Sequence, residues 1–228
     1  MMKKILLIGG SSKLGCSLVD KLKSEEYEIH STFNTKSRFK KETRVQEYQL
    51  NLSSAIGQKN FLKKIKFDFD TIVFLSGILK GKNLKNFNSK EMHENMSVNF
   101  ISQIALLNLI LQKQKKSCLT VFLSSISGRR GSFDPVYASA KGAMIAFIKS
   151  MSKWNAPKFR FIGLCPGLIK NTRMYKSFNK SRLKKLLKEN PNKEFLNSDD
   201  LADIIIDVTK PHWRHANGSI IDINGGIF

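Results

Sequence analysis

Residues 4–15 read Lys4-Ile5-Leu6-Leu7-Ile8-Gly9-Gly10-Ser11-Ser12-Lys13-Leu14-Gly15. A compact apolar run ending in glycines has the pattern of a buried parallel strand. Leu14, Leu18, Val19 and Leu22 follow at helical spacing. Between strand and helix lies a glycine-rich turn, where backbone N–H groups and a helix N-terminus can approach a pyrophosphate. A glycine turn alone is weak evidence, and its weight comes from opening a strand–helix unit.

Working outward, that unit repeats to the end of the chain. Strands are expected over residues 28–33, 45–52, 70–75, 119–123, 159–164 and 219–223, with helical patterns between them. One long helix is predicted over residues 91–111, with Met92, Met96, Phe100, Ile104, Leu107 and Leu111 as its apolar stripe. Asn99 lies inside that run and needs a hydrogen-bond partner. Ser198 is the expected N-cap of a helix over residues 199–208. The polar, lysine-rich stretch from Pro166-Gly167 to Pro191, with a short amphipathic piece at Leu183, Leu186 and Leu187, is read as a mobile lid. The alternation predicts an α/β fold, a single-domain doubly wound parallel sheet with helices on both faces, spanning residues 1–228.

A chain of 228 residues holds one substantial core and is short for two. Hydrophobic residues at 41% and aromatics at 10% describe a folded chain, not a disordered one. Cys16, Cys118 and Cys165 are scattered without metal spacing and cannot all pair, so they read as reduced thiols of a cytoplasmic protein with no metal site. The apolar run at residues 5–8 is too short for a signal peptide or a membrane span, and no membrane partner is expected. The net charge of +21 is spread in short clusters such as Lys63-Lys64, Lys115-Lys116 and Lys184-Lys185. It is read first as compositional, then as a match to an anionic cofactor or substrate, and only third as a nucleic-acid surface.

Chemistry concentrates at Ser124-Ser125 and Tyr137-Ala138-Ser139-Ala140-Lys141. On a helix, Tyr137 and Lys141 stand one turn apart on one face. An ammonium beside a phenol stabilises the phenolate, drawing its pKa from about 10 toward neutrality and fitting it for proton transfer. A serine hydroxyl arriving from a strand end could bond the same substrate oxygen. The pair alone means little in so lysine-rich a chain, and its weight rests on the company it keeps. After the second strand, Asn34-Thr35-Lys36-Ser37-Arg38 offers hydroxyl and basic groups and no acid, which suits the extra phosphate of NADP better than the free ribose of NAD.

With these residues in order, the chain resembles the short-chain dehydrogenase/reductase family over essentially its whole length. The resemblance rests on Gly9 to Gly15, Phe74-Leu75-Ser76-Gly77, Asn99, Ser124-Ser125, Tyr137 with Lys141, Pro166-Gly167, and the ending from Asn217 to Gly226. Three departures stand out. Lys13 takes the place of a middle glycine or precedes a one-residue gap, the element after the fourth strand keeps only its glycine, and Asn51 stands where an acid is usual.

The resemblance implies an NADP(H)-dependent oxidoreductase of the Rossmann type acting on a carbonyl or alcohol, NAD(H) remaining possible. It implies a cofactor half of about residues 1–115 and a catalytic and substrate part of about residues 116–228. Tyr137 would exchange the proton, Lys141 would lower its pKa and hold the nicotinamide ribose, Ser125 rather than Ser124 would polarise the carbonyl, and Asn99 would support a water. Cofactor contacts would come from Gly9, Ser11, Ser12, Lys13, Leu14, Gly15, Asn34, Lys36, Asn51, Leu52, Ser76, Gly77, Pro166, Gly167, Ile169 and Thr172, with Asn171 an alternative to Thr172. A 3-oxoacyl thioester or a sugar derivative is a compatible substrate, and a catalytically silent dinucleotide-binding member is the competing reading. A small, possibly anionic substrate and a homodimer or homotetramer are the expected partners. Arg129 and Arg130 could reach such an anion or could be a solvated surface pair.

Overall fold

The computed structural model describes residues 2–40 and 42–227; Met1, Lys41 and Phe228, inside the expected domain, lie outside the described residues. Seven strands form one parallel sheet: β1 (Lys3–Ile8), β2 (Tyr27–Phe33), β3 (Val45–Gln49), β4 (Thr71–Phe74), β5 (Cys118–Leu123), β6 (Phe159–Pro166) and β7 (Ile220–Ile223). Their order is β3-β2-β1-β4-β5-β6-β7. The chain steps outward from β1 to β3, returns to β4, and then runs to the other edge. Adjacent strand ends therefore diverge between β1 and β4, and that crevice is where open parallel sheets bind ligands.

Both faces of the sheet are apolar because both are covered. On one side α1 (Lys13–Leu22) and α9 (Ser198–Asp207) lie over Ile5, Leu7, Val73, Val121 and Ile162. Lys21 and Asp203 join the two helices at 2.7 Å. On the other side α2 (Ala55–Leu62), α4 (Ser102–Leu111) and α6 (Pro135–Trp154) cover Leu6, Ile8, Phe74, Phe122 and Phe161. Phe74 and Phe122 pair across β4 and β5 with stacked rings 4.7 Å apart, and Phe147 of α6 meets Phe122 edge-on at 6.0 Å. That stack sets the height of β5 and of the two serines that follow it.

Three local expectations change, in β3, in the long helix and at the cap of α9. β3 ends at Gln49 because its last residues leave the edge of the sheet; Leu50 N–H still bonds the Phe33 carbonyl, and the chain then turns toward α2. The long helix is broken into α3 (Ser89–Met96), a π turn (Ser97–Ile101) and α4. The extra residue of a π turn rotates everything after it. The face turned inward is Asn95, Asn99, Gln103, Leu106 and Ile110, all fully buried, while Met92, Met96, Phe100, Ile104 and Leu111 sit half-buried on the flank. The stretch read as a lid holds two helices, α7 (Arg173–Lys176) and α8 (Lys180–Glu189), and none of their residues is buried. Asn197, not Ser198, caps α9, accepting from the Asp200 N–H at 2.7 Å. No helix is long and apolar enough to cross a membrane among the described residues.

Removing the Phe122 ring would open a cavity between β4, β5 and α6. Phe122→Ala is expected to cost about 3–5 kcal/mol, read as a lowered midpoint in denaturant with an unchanged slope.

Candidate active site

The turn after β1 brings the first candidate groups together. Ser12 caps α1, accepting from the Gly15 N–H at 3.0 Å, and Gly9 N–H donates to Thr32 Oγ1 at 2.8 Å. A Cβ on Gly15 would stand 2.2 Å from the Gly10 carbonyl oxygen, so the tight approach of turn and helix needs glycine there. Ser11 is half-buried, Lys13 is exposed beyond the cap, and Leu14 is buried under α1. Ser12 thus serves the fold first, and what it offers an anion is the helix start it fixes.

Asn34, Lys36 and Arg38 are exposed at the end of β2. Their loop is held from below by Glu47 of β3, which accepts from the Ser37 hydroxyl, from Arg38 N–H at 3.0 Å and from Phe39 N–H at 2.9 Å. Both Arg38 and Lys13 favour the charged form of the half-buried Cys16, whose pKa burial nonetheless raises. Asn51 is exposed and accepts from Ser53 N–H at 3.2 Å, while Leu52 is buried with its carbonyl held by Gln58 at 2.7 Å. Glu47 carries no sequence signal beyond its position in a strand.

After β4 the chain runs without secondary structure along the ladder of inward polar residues. Gln103 Nε2 donates to the Ser76 carbonyl at 3.0 Å. Asn99 accepts from Ile78 N–H at 3.0 Å and donates to the Ile78 carbonyl at 2.9 Å and to Asn95 Oδ1 at 2.6 Å. A Cβ on Gly77 would meet Asn99 Oδ1 at 3.1 Å and Lys141 Nζ at 3.7 Å, which places this loop as a wall of the site. Asn95 and Gln103 escaped sequence reading, although their spacing of four from Asn99 was visible.

β5 and α6 complete the arrangement. Ser124 is buried and donates to the Lys141 carbonyl at 2.8 Å, tying strand end to helix. Ser125 accepts from Ser127 N–H at 3.1 Å, opening the short helix α5 (Ser127–Arg130), and it lies near enough to the Tyr137 phenol to favour its ionised form against the effect of burial. Lys141 Nζ donates to the Leu123 carbonyl at 2.6 Å and lies 5.8 Å from the Tyr137 ring centre. Asp134 caps α6, a role signalled by the Asp134-Pro135 pair. Arg129 is held by Asp222 at 3.1 Å and the Ile220 carbonyl at 2.9 Å, so it ties α5 to β7; Arg130 is exposed.

The expectation that Lys141 draws down the phenol's pKa is not met in this arrangement. Burial pushes Tyr137 up to about 12, with Ser125 pulling the other way and Asp134 and Cys165 adding to the rise. Burial also depresses Lys141 to about 8. The ammonium is directed at a backbone carbonyl instead of the phenol oxygen, and dehydration dominates both groups.

Farther along, Ile126 N–H bonds the Pro166 carbonyl and Gly167 N–H bonds the Ile223 carbonyl at 2.9 Å. Ile169 bridges to Leu196, and Thr172 caps α7 while donating to the Ile169 carbonyl at 2.8 Å. Asn171 stands at φ +63° in the left-handed region. Among the described residues no group of three or more His, Cys, Asp and Glu could hold a metal.

The short chain dehydrogenase family model matches residues 3–183. The chain belongs to this family. It is 23% identical to acetoacetyl-CoA reductase of Shinella zoogloeoides, covering 100% of this chain and 99% of the relative. It is 24% identical to 3-oxoacyl-[acyl-carrier-protein] reductase FabG of Buchnera aphidicola subsp. Acyrthosiphon pisum, covering 97% and 96%. The crystal structure of BdcA in complex with NADPH superimposes with a TM-score of 0.89 at 16% identity, covering 99% of this chain and 94% of that one. Membership makes the chain an oxidoreductase of the nicotinamide dinucleotide class.

The depressed Lys141 pKa has a consequence for stability. Between about 8 and 10.5 the unfolded state binds more protons at this lysine than the native state does, so wild-type stability rises with pH across that window. Lys141→Met is expected to be more stable at pH 7, by about 1–3 kcal/mol, and to lose that advantage toward pH 10. Denaturant melts at the two pH values check it.

Proposed function

We propose that the protein is an NADP(H)-dependent oxidoreductase interconverting a carbonyl and an alcohol, with Tyr137 as the proton-transferring group. The observation that carries this reading is the gathering of three buried side chains at the carboxyl end of β5, with Ser125 opening α5, Lys141 Nζ on the Leu123 carbonyl at 2.6 Å, and the Tyr137 ring 5.8 Å from that ammonium. A substrate oxygen seated against both hydroxyls takes a hydrogen bond from Ser125 and exchanges a proton with Tyr137. Lys141 uses one N–H on Leu123, leaving two directed donors for a ribose. Ser125, not Ser124, is the candidate, because the Ser124 hydroxyl is committed to the Lys141 backbone.

The residues present fit the dinucleotide. The α1 start offers N–H groups to its pyrophosphate, and Gly77 leaves the wall beside Lys141 clear of a side chain. Hydride comes from the nicotinamide when it is bound, and the chain's part is orientation and charge. The exposed cations Lys13 at the start of α1 and Lys36 and Arg38 in the loop after β2 support NADP(H) over NAD(H). Glu47 does not argue for NAD(H), since its carboxylate is spent on the loop backbone.

For substrate, we favour a 3-oxoacyl thioester. Both curated relatives named above act on one by their names, and residues 170–193 carry nine Lys and Arg against the single acid Glu189, which suits an anionic carrier. Three free cysteines suit a reducing cytoplasm.

Fluorescence titration at moderate salt tests the cofactor. NADPH is expected to bind more tightly than NADH, with Lys36→Ala weakening NADPH about 5–10-fold and leaving NADH unchanged. Binding of neither nucleotide would sink the reading. With a short-chain 3-oxoacyl thioester, Tyr137→Phe should lower kcat by about a hundredfold or more at unchanged NADPH affinity.

A further inference from the structure

The loop from Leu75 to Phe87 is pinned to its surroundings by three buried side chains. Two come from the α3–α4 side, Gln103 on Ser76 and Asn99 on Ile78. The third is Asp134, whose Oδ2 accepts from Gly81 N–H at 3.0 Å while its Oδ1 accepts from Tyr137 N–H at 2.9 Å. Asp134 is only 2% exposed. Its backbone carbonyl is also taken, by Ala138 N–H at 3.1 Å and the Ser132 hydroxyl at 2.8 Å.

Capping α6 does not explain this residue. Among the described residues the other side-chain N-caps are neutral, namely Ser12, Ser54, Asn83, Asn88, Thr172, Asn179 and Asn197. Serine and asparagine cap about as well as aspartate and avoid burying a charge. What the carboxylate adds is a second acceptor pointed at another segment, and a negative charge three residues before the phenol.

We propose that Asp134 is a positioning residue for Tyr137, its buried carboxylate bolting the loop after β4 to the first turn of α6. The two walls of the site are thereby fixed to one another: the loop that passes Lys141 and Asn99, and the helix that carries the phenol. The proposal rests on the acid/base reading of Tyr137. A second effect follows from charge, since burial chiefly disfavours the Tyr137 phenolate and the Asp134 carboxylate adds to it.

The other groups facing the phenol are Cys165 of β6, Lys141 on the next turn of α6, and Ser125. Around the loop, Lys80 pairs with Glu94 at 2.7 Å and Lys82 with Glu91 at 2.5 Å, and Arg129 is engaged by Asp222. Asp134 is thus the acid placed to act on Tyr137 from its own helix.

The test uses Asp134→Ser, which keeps a capping oxygen for Tyr137 N–H but loses both the reach to Gly81 and the charge. Two readouts need no turnover. Amide exchange at Gly81 should quicken by about tenfold or more while the middle of α6 keeps its protection. In spectra of protein labelled at tyrosine Cζ, the Tyr137 resonance, assigned through Tyr137→Phe, should ionise at lower pH than in wild type. In the alcohol-oxidising direction, which needs the phenolate, the rising limb of the pH profile should move to lower pH while kcat falls about tenfold and NADPH affinity holds.

Asp134→Asn, which also caps, serves if the serine variant does not fold. Unchanged Gly81 exchange together with an unmoved Tyr137 ionisation overturns the proposal. If no carbonyl compound is turned over, the oxidoreductase reading fails, yet exchange and ionisation still judge Asp134.

Discussion

Burying an ammonium beside a phenol is the constraint on which this site depends. Lys141 is 2% exposed and Tyr137 6% exposed, and neither charge state is comfortable away from water. The Leu123 carbonyl makes the burial tolerable, because it lies at the last residue of β5, where the sheet's own ladder is running out. Ser124 binds the same stretch of α6 from the other side through the Lys141 carbonyl. Strand end and helix are thus stitched twice within one turn. The aromatic stack of Phe74 and Phe122 one layer down fixes the strand that offers these atoms.

The second constraint is the loop after β4, whose stretch from Leu75 to Asn83 must be walled into the site with no secondary structure to satisfy its backbone. The π turn solves it. By inserting a residue between α3 and α4 it points Asn95, Asn99 and Gln103 inward, where two of them take up the loop's Ser76 and Ile78 groups. The cost is visible in the leftovers, since Asn95 Nδ2 and Gln103 Oε1 are buried without a protein partner. An apolar face at these positions would pack better and leave the loop unheld.

Most of the fold was legible from residues because its signals are local. Apolar runs of four to six residues ending at glycine or serine mark strands whose faces are both covered, and β1, β4, β5 and β6 were read nearly to their ends. The helix through Asn99 was misread for a physical reason. A π turn leaves no mark in apolar spacing, so the stripe continued on paper while the real buried face became polar at its site end. Ser198 was misread because Asn197 offers the same chemistry one residue earlier. In the site, Tyr137, Lys141 and Ser125 could be placed because the alternation of strand and helix brings strand ends to one side. Glu47, Gln103 and the second oxygen of Asp134 could not, because what they hold is backbone from another segment, and such a contact exists only once the chain is folded.

Unspent hydrogen-bonding capacity then separates the groups that build the site from those free to act in it. Ser124, Asn99 and Asp134 are committed, both carboxylate oxygens of Asp134 and both ends of the Asn99 amide being bound to protein. Asn99 is therefore a structural clamp before it is anything else, and a water it supported would have to share atoms already in use. Lys141 has donated one of three protons, and Ser125 accepts one backbone N–H, from Ser127, with its own proton left to give. A ligand placing a polar oxygen beside Lys141 and Ser125 gains directed donors that the fold has not used. The fold has concentrated its unspent donors at the end of β5 and the first turns of α6, and satisfied the rest around them.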